Sequence, residues 1–176
     1  MHDMVILVNE TDEVIGYMKK MEAHSMGLLH RAFSVLIFDN EKKLLMHQRA
    51  KSKYHSGGLW TNTCCSHQHS DEDTLTAAHR RLLEEMGFDC DLEERFSFLY
   101  RAEMETGLVE HEFDHVLVGR YDGTVDLNPH EVEAYEWLSW TEIGERLKED
   151  PDAFTSWFKH IYVKIDKIGI DRFIKG

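Results

Sequence analysis

The chain has no long apolar run. Its longest, near Phe33 to Phe38, falls far short of the ~20 residues a membrane-spanning helix needs. Cysteine is scarce: three among 176 residues, two of them the adjacent Cys64 and Cys65. An odd, sparse count argues against a disulfide framework. Two neighbouring thiols do not easily serve one tetrahedral zinc, and no second pair exists to complete such a site. A reactive thiol is the expectation that remains. Positive charge is also in deficit, with 20 Lys and Arg against 33 Asp and Glu and a formal net charge of -13. Nucleic acid and anionic membrane both call for a basic surface, so neither is an expected partner. An anionic substrate would be held by metals and a few placed cations acting against that field. Met1-His2-Asp3-Met4 has no basic, cleavable leader, and Phe173-Ile174-Lys175-Gly176 has no sorting signal. The cytosol is the expected compartment.

What is present suits one globular domain over residues 1–176, with 42% hydrophobic and 30% charged residues. Val5–Val8 and Val14-Ile15 look like strands joined by a polar turn. Arg31 to Phe38, the turn 39–42 and Leu44 to Met46 look like a hairpin. From Asp73 to Met86 the period becomes helical, through Leu75, Ala78, Leu82 and Met86, with Ser70 and Asp73 as a capping-box variant and Gly87 as the stop. Phe96, Phe98 and Tyr100 alternate as in a strand, as do Glu110, Glu112 and Asp114. After Pro151, the residues Phe154, Trp157, Phe158, Ile161, Tyr162 and Ile165 form a wide helical stripe. Strands before and between a few helices predict an α+β chain, a sandwich around a mixed sheet.

On the helix 73–86, Arg80 and Glu84 face away from the apolar stripe, and Arg81 and Glu85 lie on its flank. Taken alone, these are ordinary i,i+4 ion pairs. Twelve histidines are present, of which His24, His30 and His67 sit in special contexts; Glu110 and Glu112 would project from one strand face. Three imidazoles and two carboxylates suit a five- or six-coordinate divalent ion. The competing expectation for Glu110 and Glu112 is a solvated edge strand, and for Trp157 plain core.

The pattern Glu72, Arg80, Leu82, Glu84-Glu85, Gly87, Phe88 resembles the Nudix box, which binds Mg²⁺ at diphosphate groups. Ser66 stands where that box opens with Gly, and Arg81 replaces one of its Glu residues. The second change favours holding a diphosphate over cleaving it. More of the chain, from about Lys20 to Trp157, resembles the type I isopentenyl diphosphate isomerases, a branch of the Nudix fold. The resemblance rests on Ala23-His24, Leu29 to Ser34, Gln48-Arg49-Ala50 with Ser52-Lys53, the run Leu59 to His67, Arg80-Arg81, Glu85-Met86-Gly87, Tyr100-Arg101-Ala102, Glu110-His111-Glu112 and Trp157. Gln68 departs from it, standing where many members have Pro.

The resemblance implies a Nudix-like α/β/α sandwich. It implies one tightly held divalent metal (Mn²⁺, Zn²⁺ or Mg²⁺) on His24, His30, His67, Glu110 and Glu112. A substrate-borne Mg²⁺ would meet Glu85 and the Cys65 carbonyl, while Lys20, Arg49, Lys53, Ser66 and Arg81 would hold the phosphates. Cys65 and Glu112 would move the protons of isopentenyl and dimethylallyl diphosphate in isoprenoid biosynthesis, with Tyr100 assisting and Trp157 facing a cationic intermediate. Cys64, pointing the opposite way from Cys65 in an extended segment, would be core. The competing functions are a Nudix diphosphohydrolase and a catalytically silent binding module of the same fold.

Overall fold

A computed structural model describes residues 3–104 and 106–175. Met1, His2 and Gly176, on which part of the terminal-signal expectation rested, lie outside them. The strand His30–Phe38 (β3) organises the sheet. One of its edges is occupied along its whole length by the parallel strand Val109–Arg120 (β8), with His30 opposite Glu112 and Phe38 opposite Arg120. The other edge is shared in turn by three antiparallel partners. Met4–Val8 (β1) meets it at His30, Cys64–Ser66 (β6) at Phe33 to Val35, and Leu44–Arg49 (β4) at Phe38. Val14–Lys19 (β2) pairs with β1, and Leu92–Glu103 (β7) with β8. Both Trp60–Thr61 (β5) and Val132–Leu138 (β9) pair with β4. The sheet is mixed, as expected. The expected β3–β4 hairpin is reduced to one pair, because beyond it that edge of β4 pairs with β5 and that edge of β3 with β6.

Alternation along β3 sends Val35 and Ile37 to one face and Leu36 and Phe38 to the other. The first face packs on the helix Thr74–Met86 (α2) through Ala77, Ala78, Leu82 and Met86. The second packs on Ser156–Ile168 (α4) through Trp157, Phe158, Ile161 and Ile165, with Ile143 of Trp140–Glu149 (α3) and Phe173 of Ile170–Lys175 (α5). Helices therefore cover both faces, the predicted sandwich. Each fully buried Leu, Ile or Phe contributes about 1.5–3 kcal/mol of transfer free energy, so neither layer is dispensable. No helix among the described residues is long and apolar enough to cross a membrane.

Two details correct the sequence reading of α2. Its cap is Asp73, whose carboxylate accepts from Thr76 N at 2.7 Å, and Ser70 takes no part. Leu75 is 44% exposed, so the apolar stripe starts at Ala77 and Ala78. Gly87 does end the helix, at φ 73. A Cβ there would lie 2.4 Å from the Asp126 carbonyl oxygen, so only glycine lets the next loop close against the helix end.

Candidate active site

The short helix Lys20–Met26 (α1) carries His24, whose Nδ1 lies 2.7 Å from the Lys20 carbonyl oxygen one turn back. Gly27, at φ 64, ends α1 and returns the chain to β3. There His30 Nδ1 lies 2.8 Å from the Leu28 carbonyl oxygen. A ring nitrogen facing a carbonyl is the donor, so in the neutral form of either imidazole it is Nε2 that carries the lone pair. Register places Glu112 beside His30, with Glu110 two residues earlier on the same face of β8. His67 follows β6 directly. One ligand atom from each of His24, His30, His67, Glu110 and Glu112 lies within 4.8 Å of all the others.

These donors fit a cation. His24 Nε2 is 3.2 Å from Glu110 Oε2, and His30 Nε2 is 3.6 Å from Glu112 Oε1. Even so, His24 Nε2, His30 Nε2, His67 Nδ1 and Glu110 Oε2 are buried without a hydrogen bond. Each unmet buried group costs about 1–3 kcal/mol, and a divalent ion would satisfy several at once. Burial, with the Lys20 charge nearby, pushes His67 down to about 3, leaving it neutral. Burial pushes both carboxylates up, but contacts with His24 and His55 at Glu110, and with His30 and His67 at Glu112, carry them below the usual carboxylate range. Metal binding needs this deprotonated set. The alternative of a solvated edge strand is excluded: β8 lies between β3 and β7, and Glu110 and Glu112 are buried.

Cys65 reaches the same place because polar side chains replace a missing ladder. Where β3 and β4 diverge, the Thr63 hydroxyl accepts from Ile37 N at 2.9 Å and donates to the Leu45 carbonyl at 2.7 Å. Asn62 Nδ2 donates to the carbonyls of Val35 and Cys64, at 3.1 and 2.7 Å. This wedge holds β6 extended. Cys64 enters the core under α2, and Cys65 lines a pocket together with Lys20, Arg49, Ser66, His67, Glu110, Glu112 and Trp157. Burial raises the Cys65 thiol to about 12, so it keeps its proton at neutral pH; Arg49, with Nη1 3.8 Å from the sulfur, opposes this only in part. The Tyr100 hydroxyl donates to Glu112 Oε2. Trp157 is both core and pocket wall, and the Arg49 guanidinium lies over its ring, 5.1 Å from a ring centroid.

Beside the pocket an open cleft is lined by Lys20, Lys53, Ser66, His67 and Arg81, which joins the expected phosphate-binding residues. Of the two neighbouring lysines, Lys20 is the one in the pocket wall, while Arg49 sits deeper, beside Cys65. Glu85 is in neither lining. It is buried near Cys64 and Cys65 and pairs with Arg81, and it is not one of the five clustered ligands. Two residues were missed in the sequence. Glu131 pairs with Lys53 and lies 3.2 Å from Arg81 Nη2, and His55 Nε2 lies 2.7 Å from Glu110 Oε1. Nothing in the order of residues announces either one, since each meets its partner only across the fold.

The NUDIX domain family matches residues 28–158. The chain is 49% identical over 157 residues to isopentenyl-diphosphate Delta-isomerase 2 of Aromatoleum aromaticum, covering 89% of this chain and 83% of that one. It is 50% identical over 161 residues to isopentenyl-diphosphate Delta-isomerase of Pectobacterium atrosepticum, covering 92% and 90%. The chain belongs to the isopentenyl-diphosphate Delta-isomerase branch of the Nudix family. Among solved structures, DR0079 from Deinococcus radiodurans superposes with a TM-score of 0.69 at 21% identity, over 83% of this chain and 89% of that one, a likeness of fold alone. Divalent-metal use is in keeping with the Nudix family and with the five clustered donors.

Proposed function

We propose that this Nudix isomerase, a cytosolic enzyme of isoprenoid biosynthesis, interconverts isopentenyl diphosphate and dimethylallyl diphosphate. The observation that carries this reading is the Cys65 thiol and the Glu112 carboxylate lining one pocket, beside a cleft of phosphate-competent cations. Moving the double bond adds a proton at one carbon and removes one two carbons away. The reaction is reversible, so each of the two groups is an acid in one direction and a base in the other. Burial disfavours the Cys65 thiolate, so a turnover that starts from the Cys65 thiol as acid needs the Glu112 carboxylate as base, with the Tyr100 hydroxyl hydrogen-bonded to it. The reverse direction exchanges the two roles. Trp157 offers a π face to positive charge in the pocket and keeps water away from it. Lys20, Arg49, Lys53, Ser66 and Arg81 bind the diphosphate through charge-assisted hydrogen bonds.

His24, His30, His67, Glu110 and Glu112 would hold the resident Mn²⁺, Zn²⁺ or Mg²⁺, and Glu85 with the Cys65 carbonyl a Mg²⁺ carried by the substrate. Bound there, these ions supply positive charge that offsets the diphosphate and adjusts the acidity of Glu112. Against the hydrolase reading, Arg81 stands in place of a Nudix-box carboxylate and engages Glu84, Glu85 and Glu131. Proton NMR of isopentenyl diphosphate incubated with protein and Mg²⁺ tests the proposal. Dimethylallyl diphosphate should accumulate with no phosphate released. Phosphate or monophosphate appearing as fast as substrate disappears would overturn it in favour of the hydrolase, and an unchanged substrate would favour the silent module.

A further inference from the structure

His55 lies in the loop 50–59 between β4 and β5, outside the five-ligand set, and is buried. Its ring stands edge-on to Tyr54 and to Trp157, with centroids 4.4 and 6.1 Å apart. Its carbonyl accepts from Arg49 Nη2 at 3.3 Å. Its Nε2 is 2.7 Å from Glu110 Oε1. A carboxylate only accepts hydrogen bonds, so this ring nitrogen carries the hydrogen and is no lone-pair donor to a metal. The two oxygens of Glu110 are thereby told apart. Oε1 is taken by His55, while Oε2 is buried without a hydrogen bond and turned toward His24 Nε2.

We infer that His55 is a positioning residue of the metal centre: its Nε2–H holds Glu110 Oε1, so that Oε2 is the oxygen presented to the other ligands. The inference rests on the ligand set proposed above. A ligating carboxylate free to rotate loses entropy on each binding event and can present either oxygen; one already hydrogen-bonded does neither. Partners of this kind typically govern metal affinity by 10- to 100-fold. His55 also ties the centre to its surroundings, because the same residue packs on Trp157 and fixes Arg49 through its backbone.

The test compares Mn²⁺ affinity, by competition against a chelator, in four proteins: unaltered, His55→Phe, His55→Gln and Glu110→Ala. Phenylalanine keeps the ring against Tyr54 and Trp157 but has no donor; glutamine loses the ring but restores an N–H. Mn²⁺ binding should weaken 10- to 100-fold in His55→Phe and return to within about threefold in His55→Gln. Circular dichroism should show both folded. Unaltered affinity in His55→Phe, or equal loss in the two His55 variants, would overturn the donor role. If Glu110→Ala loses Mn²⁺ while His55→Phe does not, the role of His55 alone fails. If Glu110→Ala also binds normally, the ligand set is wrong and the inference falls with it.

Discussion

The hydroxyl of Tyr100 donates to Glu112 Oε2 at 2.5 Å, while Oε1 of the same carboxylate lies 2.9 Å from His67 Nε2. Glu112 thus faces a proton source on one oxygen and a metal-ligand candidate on the other. The relationship follows from register, because Tyr100 sits opposite Glu112 across the β7–β8 ladder.

Tyr100→Phe should separate those two roles. The ring stays in the core, but the proton at Glu112 is gone, and the rate should fall by about 10²-fold or more. Any loss of metal should be much smaller than the loss of rate, because Tyr100 is no ligand itself and the other oxygen of Glu112 still lies beside His67 and His30. Parallel rate and metal analyses check this; a loss of metal equal to the loss of rate would show that the hydroxyl serves the centre's structure.

Cys65→Ala and Cys64→Ala should behave differently. Removing the pocket thiol should cost about 10²- to 10⁴-fold in rate with fold and metal retained. Removing the buried Cys64 should leave activity intact and cost about 1 kcal/mol of stability. Near-normal isomerisation by Cys65→Ala would leave Glu112 and Tyr100 to carry both proton transfers.

Chelation should abolish activity, and a divalent ion should restore it. His67→Ala and His30→Ala should each carry less metal after purification as well as turning over more slowly. Full occupancy in both would show that the ligand assignment is wrong.

His47 predicts an acid-side loss of stability. Burial, aided by Arg49, pushes its imidazole down to about 3, while its Nδ1 lies 2.9 Å from the Thr63 carbonyl oxygen. The unfolded chain takes up a proton near pH 6.5, but the folded chain resists to about 3, so the unfolded state binds more protons between those values. This contribution is fully present above about pH 6.5 and declines as the pH falls through that window, by on the order of 5 kcal/mol over its whole width. Urea midpoints from pH 7 to 4 should fall less steeply in His47→Gln than in the unaltered protein; identical slopes would rule His47 out.

The sequence showed best what depends on neighbours along the chain. Alternation separated Cys64 from Cys65, and the 3.6-residue period found α2 and α4. What it left open depends on contacts between distant segments. Glu110 and Glu112 read equally well as a wet edge until β3 and β7 enclose β8. The seven-residue α1 is too short and too polar for its period to stand out, although it carries Lys20 and His24. One signal was legible and went unused: Ser139 and Glu142 form a reciprocal capping box that starts α3. Glu131 had no such signal. Its place beside Lys53 follows from the Ala50 N–H, which donates to the Glu131 carbonyl at 3.0 Å and brings two distant loops together.

The loop 50–59 carries Lys53 to the cleft and His55 to Glu110 only two residues apart. A stretch of backbone that short cannot settle its two ends independently. If the loop is ordered at one end by a ligand, less entropy remains to be lost at the other, so on the proposed sites cation and diphosphate would be mutual effectors through one short stretch of chain. Thermodynamic reciprocity then applies: whatever factor the resident ion contributes to holding the diphosphate, the diphosphate returns in holding the ion.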